Sequence, residues 1–226
     1  MKSVFFNQLP STQTYLIEHL SSLITEDPDV IVSCQSQSAG LGRRANVWHH
    51  FEGSLAFSCT IRPSSIIGLT SLELGCLLIQ FFRQYETTLA LKWPNDIFNT
   101  KGEKCGGLLC QLIEGIVVAG IGLNMGELHS TNLLKNQNYP IGSISLSDKI
   151  DPQEIYLFFL KNRLTSQEIV SEWNKHCFHI GRNVTIQDDE KKYQGIFIGI
   201  GEQGQAQLKT SENKFIELFS GNLFLH

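Results

Sequence analysis

The chain has 226 residues, 42% of them apolar and 18% charged, with a formal net charge of −4. That apolar share is globular, and that charge share is too low for a disordered protein. A negative balance argues against a dedicated nucleic-acid binder, which carries a basic surplus. No uninterrupted apolar run approaches the ~18 residues of a membrane span. The N-terminal Met1-Lys2-Ser3-Val4-Phe5-Phe6 lacks the apolar core of a signal peptide. Cysteines stand at 34, 59, 76, 105, 110 and 177, with no C-x-x-C pair and no zinc spacing. Most sit in apolar runs, as expected of small buried residues in a reducing, cytoplasmic compartment.

Residues 4–9 read as a strand. Ser11 and Thr12 stand where a helix cap belongs, ahead of a stripe of Tyr15, Leu16, His19, Leu20, Leu23 and Ile24. Such hydroxyls cap a helix, and they can also meet a ligand at its positive end. Asp27-Pro28 ends the helix, and residues 30–34 form a strand. The stretch from Gln37 to Trp48 then has no periodicity. Gly40 and Gly42 let N–H groups converge on an anion, Arg43 and Arg44 add donors, and Trp48 offers a flat face.

Residues 54–62 are another strand, and 66–86 a long helix with Leu69, Leu72, Leu77 and Phe81 in the core. The strand 89–93 is stopped by Pro94, which cannot donate to a ladder. Lys92, Asn95 and Asp96 therefore gather at its carboxyl end. Residues 106–113 and 116–124 make a hairpin about Glu114-Gly115. Period two sets Gly120, Gly122 and Asn124 on one face and Val117, Ala119, Ile121 and Leu123 on the other. A glycine face packs badly as core and well as a floor for a flat ligand. Pairing Ile113 with Ile116 sets Gly107 opposite Gly122 and extends that floor. Strict alternation would leave Lys104 on the wrong side, so the chain before the hairpin must turn it inward.

Residues 127–150 are expected as a loop with a short helix, ending in Ile144-Ser145-Leu146. Helices follow at 152–164 and 167–177. After Gly181 the pattern changes to short strands at 184–186, 193–197, 206–208 and 215–218. This module is too small to be stable alone and is expected to pack on the larger unit. Two units result, 1–180 and 181–226.

Lys92, Lys104 and Arg43 are the candidate cations, Asp96 a partner for a metal or an amine, and Asn95 and Asn124 the candidate amide donors. No Ser/His/Asp order, no cysteine beside a suitable histidine, no P-loop and no dinucleotide fingerprint is present. Cations around converging N–H groups suit a ligand with carboxylate and phosphates. Attack of a carboxylate on phosphorus needs alignment and charge neutralisation more than an acid or base. An acyl adenylate fits, with Mg²⁺ bridging the phosphates.

The set Ser11-Thr12, Gln37-x-Ala39-Gly40-x-Gly42-Arg43-Arg44-x-x-x-Trp48, Lys92-Trp93-Pro94-Asn95-Asp96, Lys104-x-Gly106-Gly107 and Gly120-x-Gly122-x-Asn124 resembles the biotin protein ligases. K-W-P-N-D followed by K-x-G-G is the specific part, and the likeness covers residues 11–124. The resemblance implies an α+β fold: a mixed-sheet, class II synthetase-like catalytic domain with flanking helices, plus a small C-terminal SH3-like β-barrel. It implies that biotin and ATP give biotinyl-5′-AMP, and that the biotinyl group passes to a lysine of the biotin carboxyl carrier protein of acetyl-CoA carboxylase. Lys104 and Arg43 would be catalytic. Ser11, Thr12, Gln13, Gln37, Leu41, Gly42, Arg43, Lys104, Gly107 and Gly122 would surround biotin. Arg43, Arg44, Trp48, Asn95 and Asn124 would hold the nucleotide, and Asp96 a metal.

Departures from the family pattern are Gln13 for asparagine, Leu41 for a cation, Ala45 for glycine and Gln111 for glutamate. Leu41 bears on retention of the adenylate. Ten residues before Ser11 leave no room for the family's DNA-binding helix-turn-helix, so the monofunctional form is expected, with no nucleic-acid or membrane partner, as monomer or homodimer. The rivals are a lipoate or octanoate ligase of the same fold and a non-catalytic biotin- or adenylate-binding protein.

Overall fold

The computed structural model describes residues 1–25, 27–126, 139–146 and 149–226. The short helix expected within 127–150 falls largely outside them. Strand β1 (Lys2–Leu9) leads into helix α1 (Thr12–Glu18), which breaks at His19 before α2 (Leu20–Leu23). Strand β2 (Val30–Gln37) follows, then the two-residue strands β3 (Gly40–Leu41) and β4 (Val47–Trp48), and β5 (Leu55–Ile61). Helix α3 (Thr70–Arg83) precedes β6 (Leu89–Lys92), β7 (Asp96–Asn99), β8 (Lys104–Ile113) and β9 (Ile116–Leu123). Helices α4 (Pro152–Lys161) and α5 (Ser166–His176) close the first unit.

Seven strands form one sheet in the order β1-β2-β5-β9-β8-β7-β6, with β1 parallel to β2 and the other neighbours antiparallel. One face takes α3, α4 and α5. Val117, Ala119, Ile121 and Leu123 of β9 point into that core with Leu72, Leu77, Phe81 and Phe82 of α3. Part of the other face is covered by α1 through Leu16, against Val32, Ala56 and Val118. Beyond Val118 that second face carries Gly120 and Gly122, so helix packing stops there and a hollow begins.

The core also holds one carboxylate. Glu73 of α3 is fully buried and bound by Arg163 at 2.8 and 2.7 Å, Ser64 Oγ at 2.6 Å and the Leu164 N–H at 2.8 Å. Burial pushes its pKa up, and these four donations more than reverse that, so it stays ionised and pins α3 to the connection between α4 and α5.

The C-terminal module comprises β10 (Asn183–Asp188), β11 (Lys191–Ile200), β12 (Ala206–Lys209), β13 (Phe215–Leu218) and β14 (Asn222–Leu225). They form an antiparallel sheet in the order β13-β12-β11-β10-β14. The expected barrel is corrected to an open sheet, because among the described pairings β13 and β14 remain its two edges. The module is fastened to the first unit by Trp93 Nε1 donating to the Gly204 carbonyl at 3.2 Å and Tyr139 OH to the Leu223 carbonyl at 2.7 Å.

Candidate functional site

The hairpin β8–β9 turns at Glu114 and Gly115, both with positive φ (49° and 85°), the two-residue turn whose twist suits antiparallel strands. That turn sets Ile113 opposite Ile116 and Gly107 opposite Gly122. Between β7 and β8 the register slips by one: Ile97 faces Gly106, but Phe98 faces Lys104. This β-bulge supplies the turn that strict alternation lacked. It sends the Lys104 side chain across the floor, with its Cε 3.9 Å from where a Cβ on Gly107 would stand.

Above these glycines lies a cavity of about 490 Å³, a size suited to a small-molecule ligand. At one end stands the start of α1. Ser11 caps the helix, its Oγ accepting from the Thr14 N–H at 3.3 Å. The Thr12 N–H and hydroxyl both donate to Gln37 Oε1, at 2.8 and 3.2 Å, and the Thr12 hydroxyl meets that of Ser58 at 2.9 Å. Gln13 donates through Nε2 to Gln111 Oε1 at 2.9 Å and to the Val118 carbonyl at 3.1 Å. A carbonyl only accepts, so Gln13 Oε1 must turn over Gly120, where it is buried without a partner.

At the other end of the same strand face, Asn124 is 3% exposed. Its Nδ2 donates to the Gly142 carbonyl at 3.0 Å, and its Oδ1 has no partner. The expectation of an amide donor there becomes an amide acceptor. Four residues of strand separate Gly120 from Asn124, about 13 Å.

The charged groups lie between these ends. The Lys92–Asp96 pair closes the connection between β6 and β7 at 3.1 Å, and Lys104 Nζ reaches the other Asp96 oxygen at 2.6 Å. Burial pushes the Asp96 carboxyl up, and the two ammonium groups outweigh it, so its pKa lies below the usual carboxylate value. Burial pulls Lys92 down, opposed by Asp96, and its ammonium also sits 4.7 Å above the centre of the Tyr139 ring. Lys104 is the more open partner, with 29% of its side chain exposed against 5% for Lys92. Both Asp96 oxygens are thus engaged, and among the described residues no group of three or more His, Cys, Asp or Glu could hold a metal. In this ligand-free arrangement Asp96 is the shared counter-ion of two ammonium groups.

Asn95 donates to the Leu108 carbonyl and accepts from Arg43 Nη1 at 3.4 Å. Leu41, Gly42 and Arg43 line the cavity from the glycine loop. Trp48 lies flat on Gly122: a Cβ there would come within 2.5 Å of the indole. The ring that this glycine admits in the structure is therefore the protein's own. Arg44 does not line the cavity; it turns outward to Asp188 of the C-terminal module at 2.8 Å.

Sequence reasoning missed Ser58, Tyr139 and the wall formed by Asn222, Leu223 and Phe224. Ser58 was detectable, since alternation along β5 sets Ala56, Ser58 and Thr60 on the face opposite Phe57 and Cys59. Nothing local in the sequence links 222–224 to a site built from residues 11–124.

The chain is similar to the bifunctional ligase/repressor BirA of Bacillus subtilis, 26% identical over 92% of this chain and 70% of that protein. It is 24% identical to a biotin–acetyl-CoA-carboxylase ligase of Paracoccus denitrificans, over 79% of this chain and 83% of the relative. The fold superposes on biotin protein ligase from Aquifex aeolicus, solved with biotin and ATP, with a TM-score of 0.78 at 23% identity, covering 100% of this chain and 98% of the other. Residues 179–222 match the Biotin protein ligase C terminal domain. Residues 5–126, more than half of the chain, match the Biotin/lipoate A/B protein ligase family, and the protein belongs to that family.

Proposed function

We propose that this protein is an ATP-dependent biotin protein ligase, which makes biotinyl-5′-AMP and transfers the biotinyl group to a lysine of a biotin carboxyl carrier protein. The observation that carries this reading is a pair of buried, unpartnered acceptors at the two ends of one glycine floor, Gln13 Oε1 of α1 over Gly120 and Asn124 Oδ1, with Lys104 beside Gly107 between them. An unpaired buried acceptor loses roughly 1–3 kcal/mol, so such a face selects a ligand that brings N–H donors to both ends. The ureido ring of biotin does so at Gln13, and the adenine amine at Asn124. A dithiolane ring has no N–H to offer Gln13, which disfavours lipoate. A cation between two binding ends distinguishes the site from a passive binder. The names of the relatives support the same substrate class.

Ser11, Thr12, Gln37 and Ser58 then surround the ring of biotin, and Trp48, on Gly122 between the two ends, keeps its expected place toward the nucleotide. Lys104 leaves Asp96 for the biotin carboxylate and the α-phosphate. Drawing both anions to one ammonium aligns the carboxylate oxygen on phosphorus, and the bond to pyrophosphate breaks as the new P–O bond forms. Arg43, steadied by Asn95, neutralises the phosphate. Asp96 keeps Lys92 as its counter-ion and orients the incoming lysine amine. That amine, arriving neutral, attacks the acyl carbon, AMP departs as the C–O bond breaks, and the proton shed by nitrogen passes to water. Mg²⁺ would travel with the nucleotide phosphates; no residue of this chain is assigned to it.

No helix among the described residues is long and apolar enough to cross a membrane, and all six cysteines are free. We assign the enzyme to the cytoplasm, where biotin, ATP and carrier domains meet. The test is incubation with MgATP, a carrier domain and either biotin or lipoate, followed by intact-mass measurement. One biotinyl group on one carrier lysine, and no lipoyl group, is expected. Lipoyl transfer in preference to biotinyl transfer would replace this reading with its rival.

A further inference from the structure

The tip of the glycine loop, residues 42–46, folds on itself: the Gly42 N–H donates to the Asn46 carbonyl at 2.7 Å and the Asn46 N–H to the Arg43 carbonyl at 3.1 Å. Among the described contacts, two side-chain hydrogen bonds tie this tip to the rest of the molecule. Arg43 reaches Asn95 on the catalytic unit at 3.4 Å, a long contact. Arg44 reaches Asp188 at 2.8 Å. Asp188 is the last residue of β10 and is itself held by the Ser220 hydroxyl at 2.7 Å, two residues before the segment 222–224 that walls the cavity. Arg44 has φ 53° and ψ 39°, a left-handed backbone that a non-glycine residue adopts against steric cost. That conformation sends the two neighbouring guanidinium groups apart, Arg43 to the cavity and Arg44 to the module.

We propose that Asp188 is a positioning residue for adenylate retention: from the C-terminal module it latches the glycine loop over the cavity and holds Arg44 out of it, leaving Arg43 as the guanidinium that faces the anion. The proposal rests on the ligase reading above for its second half, but the latch is a physical contact that can be tested alone. The shorter tether of the loop thus belongs to a different unit from the one that binds substrate. The module both walls the cavity and closes it.

Arg43 and Arg44 are trypsin sites, which gives a readout independent of activity. In the ligand-free protein, Asp188→Asn should speed tryptic cleavage at the loop about two- to fivefold, the range of an exposed ion pair, without lowering the melting temperature. Asp188→Glu should restore protection, and Ser220→Ala should give a smaller change of the same sign. In the enzyme, Asp188→Asn should release biotinyl-AMP into solution faster by a similar factor and raise KM for ATP more than it lowers kcat. Unchanged cleavage in Asp188→Asn would overturn the latch. Faster cleavage with unchanged release of the adenylate would overturn the positioning role. Absence of adenylate from the unmodified protein would overturn the ligase reading instead, with the cleavage result still deciding the latch.

Discussion

The two faces of the seven-stranded sheet share the same strands and do opposite work. On β9, Val117, Ala119, Ile121 and Leu123 fill the helix-covered core, while Gly120 and Gly122, one residue out of phase, and Asn124 just past the strand bound a hollow. The first face is close-packed, and even its one carboxylate, Glu73, is fully bonded. The second face leaves acceptors unpaired, and its glycine at 122 admits the Trp48 ring. A rigid packed face lets the other face stay unfinished, because the site's geometry is then held by elements that do not yield.

Substitutions should separate the faces. The largest effect is expected from Leu77→Ala on the packed side, a loss of roughly 3 kcal/mol in unfolding free energy with biotin affinity retained, measured by denaturant melts and calorimetric titration. Next, Lys104→Ala should lower adenylation about a hundredfold or more and leave the melting temperature nearly unchanged, since Asp96 still keeps Lys92. Equal losses of stability and activity would erase the distinction between faces.

A third probe lies at the seam with the C-terminal module. His179 is fully buried against Phe197 and Trp173, and burial pushes its pKa down to about 3. The folded state keeps it neutral while the unfolded chain takes up a proton below pH ~6.5, so its contribution is complete above that pH and is lost as the pH falls toward 3. Unfolding free energy should drop by about 2 kcal/mol between pH 7 and 5 from this group, and His179→Phe should flatten that part of the profile. The smallest effect is expected on the open face. Gly122→Ala would press on the Trp48 ring and should weaken ligand binding about tenfold, without a stability loss on the scale of Leu77→Ala. Unchanged affinity would mean that Trp48 is free to leave the floor.

Periodicity made the packed face legible, and with it half of the open one. The strand at 215–218, the hairpin register and the glycine floor were all readable because alternation acts locally. Strand β7 was not: Asn95-Asp96 reads as a turn, and four residues are too few for a pattern. The position of Lys104 depended on a bulge, which is set by pairing with β7 rather than by the residues themselves. Asp96 was legible as a partner for a metal or an amine, but its double ion pair with Lys92 and Lys104 is a matter of three-dimensional placement. The outward turn of Arg44 and the wall at 222–224 come from the far end of the chain. Neighbouring residues could not reveal them.

The most direct measurement is biotin-dependent exchange of labelled pyrophosphate into ATP by the purified protein, without any carrier. Exchange that requires biotin and is not supported by lipoate is expected. Tight biotin binding with no exchange would contradict it, and would make the cation between the two acceptors part of a binding site only.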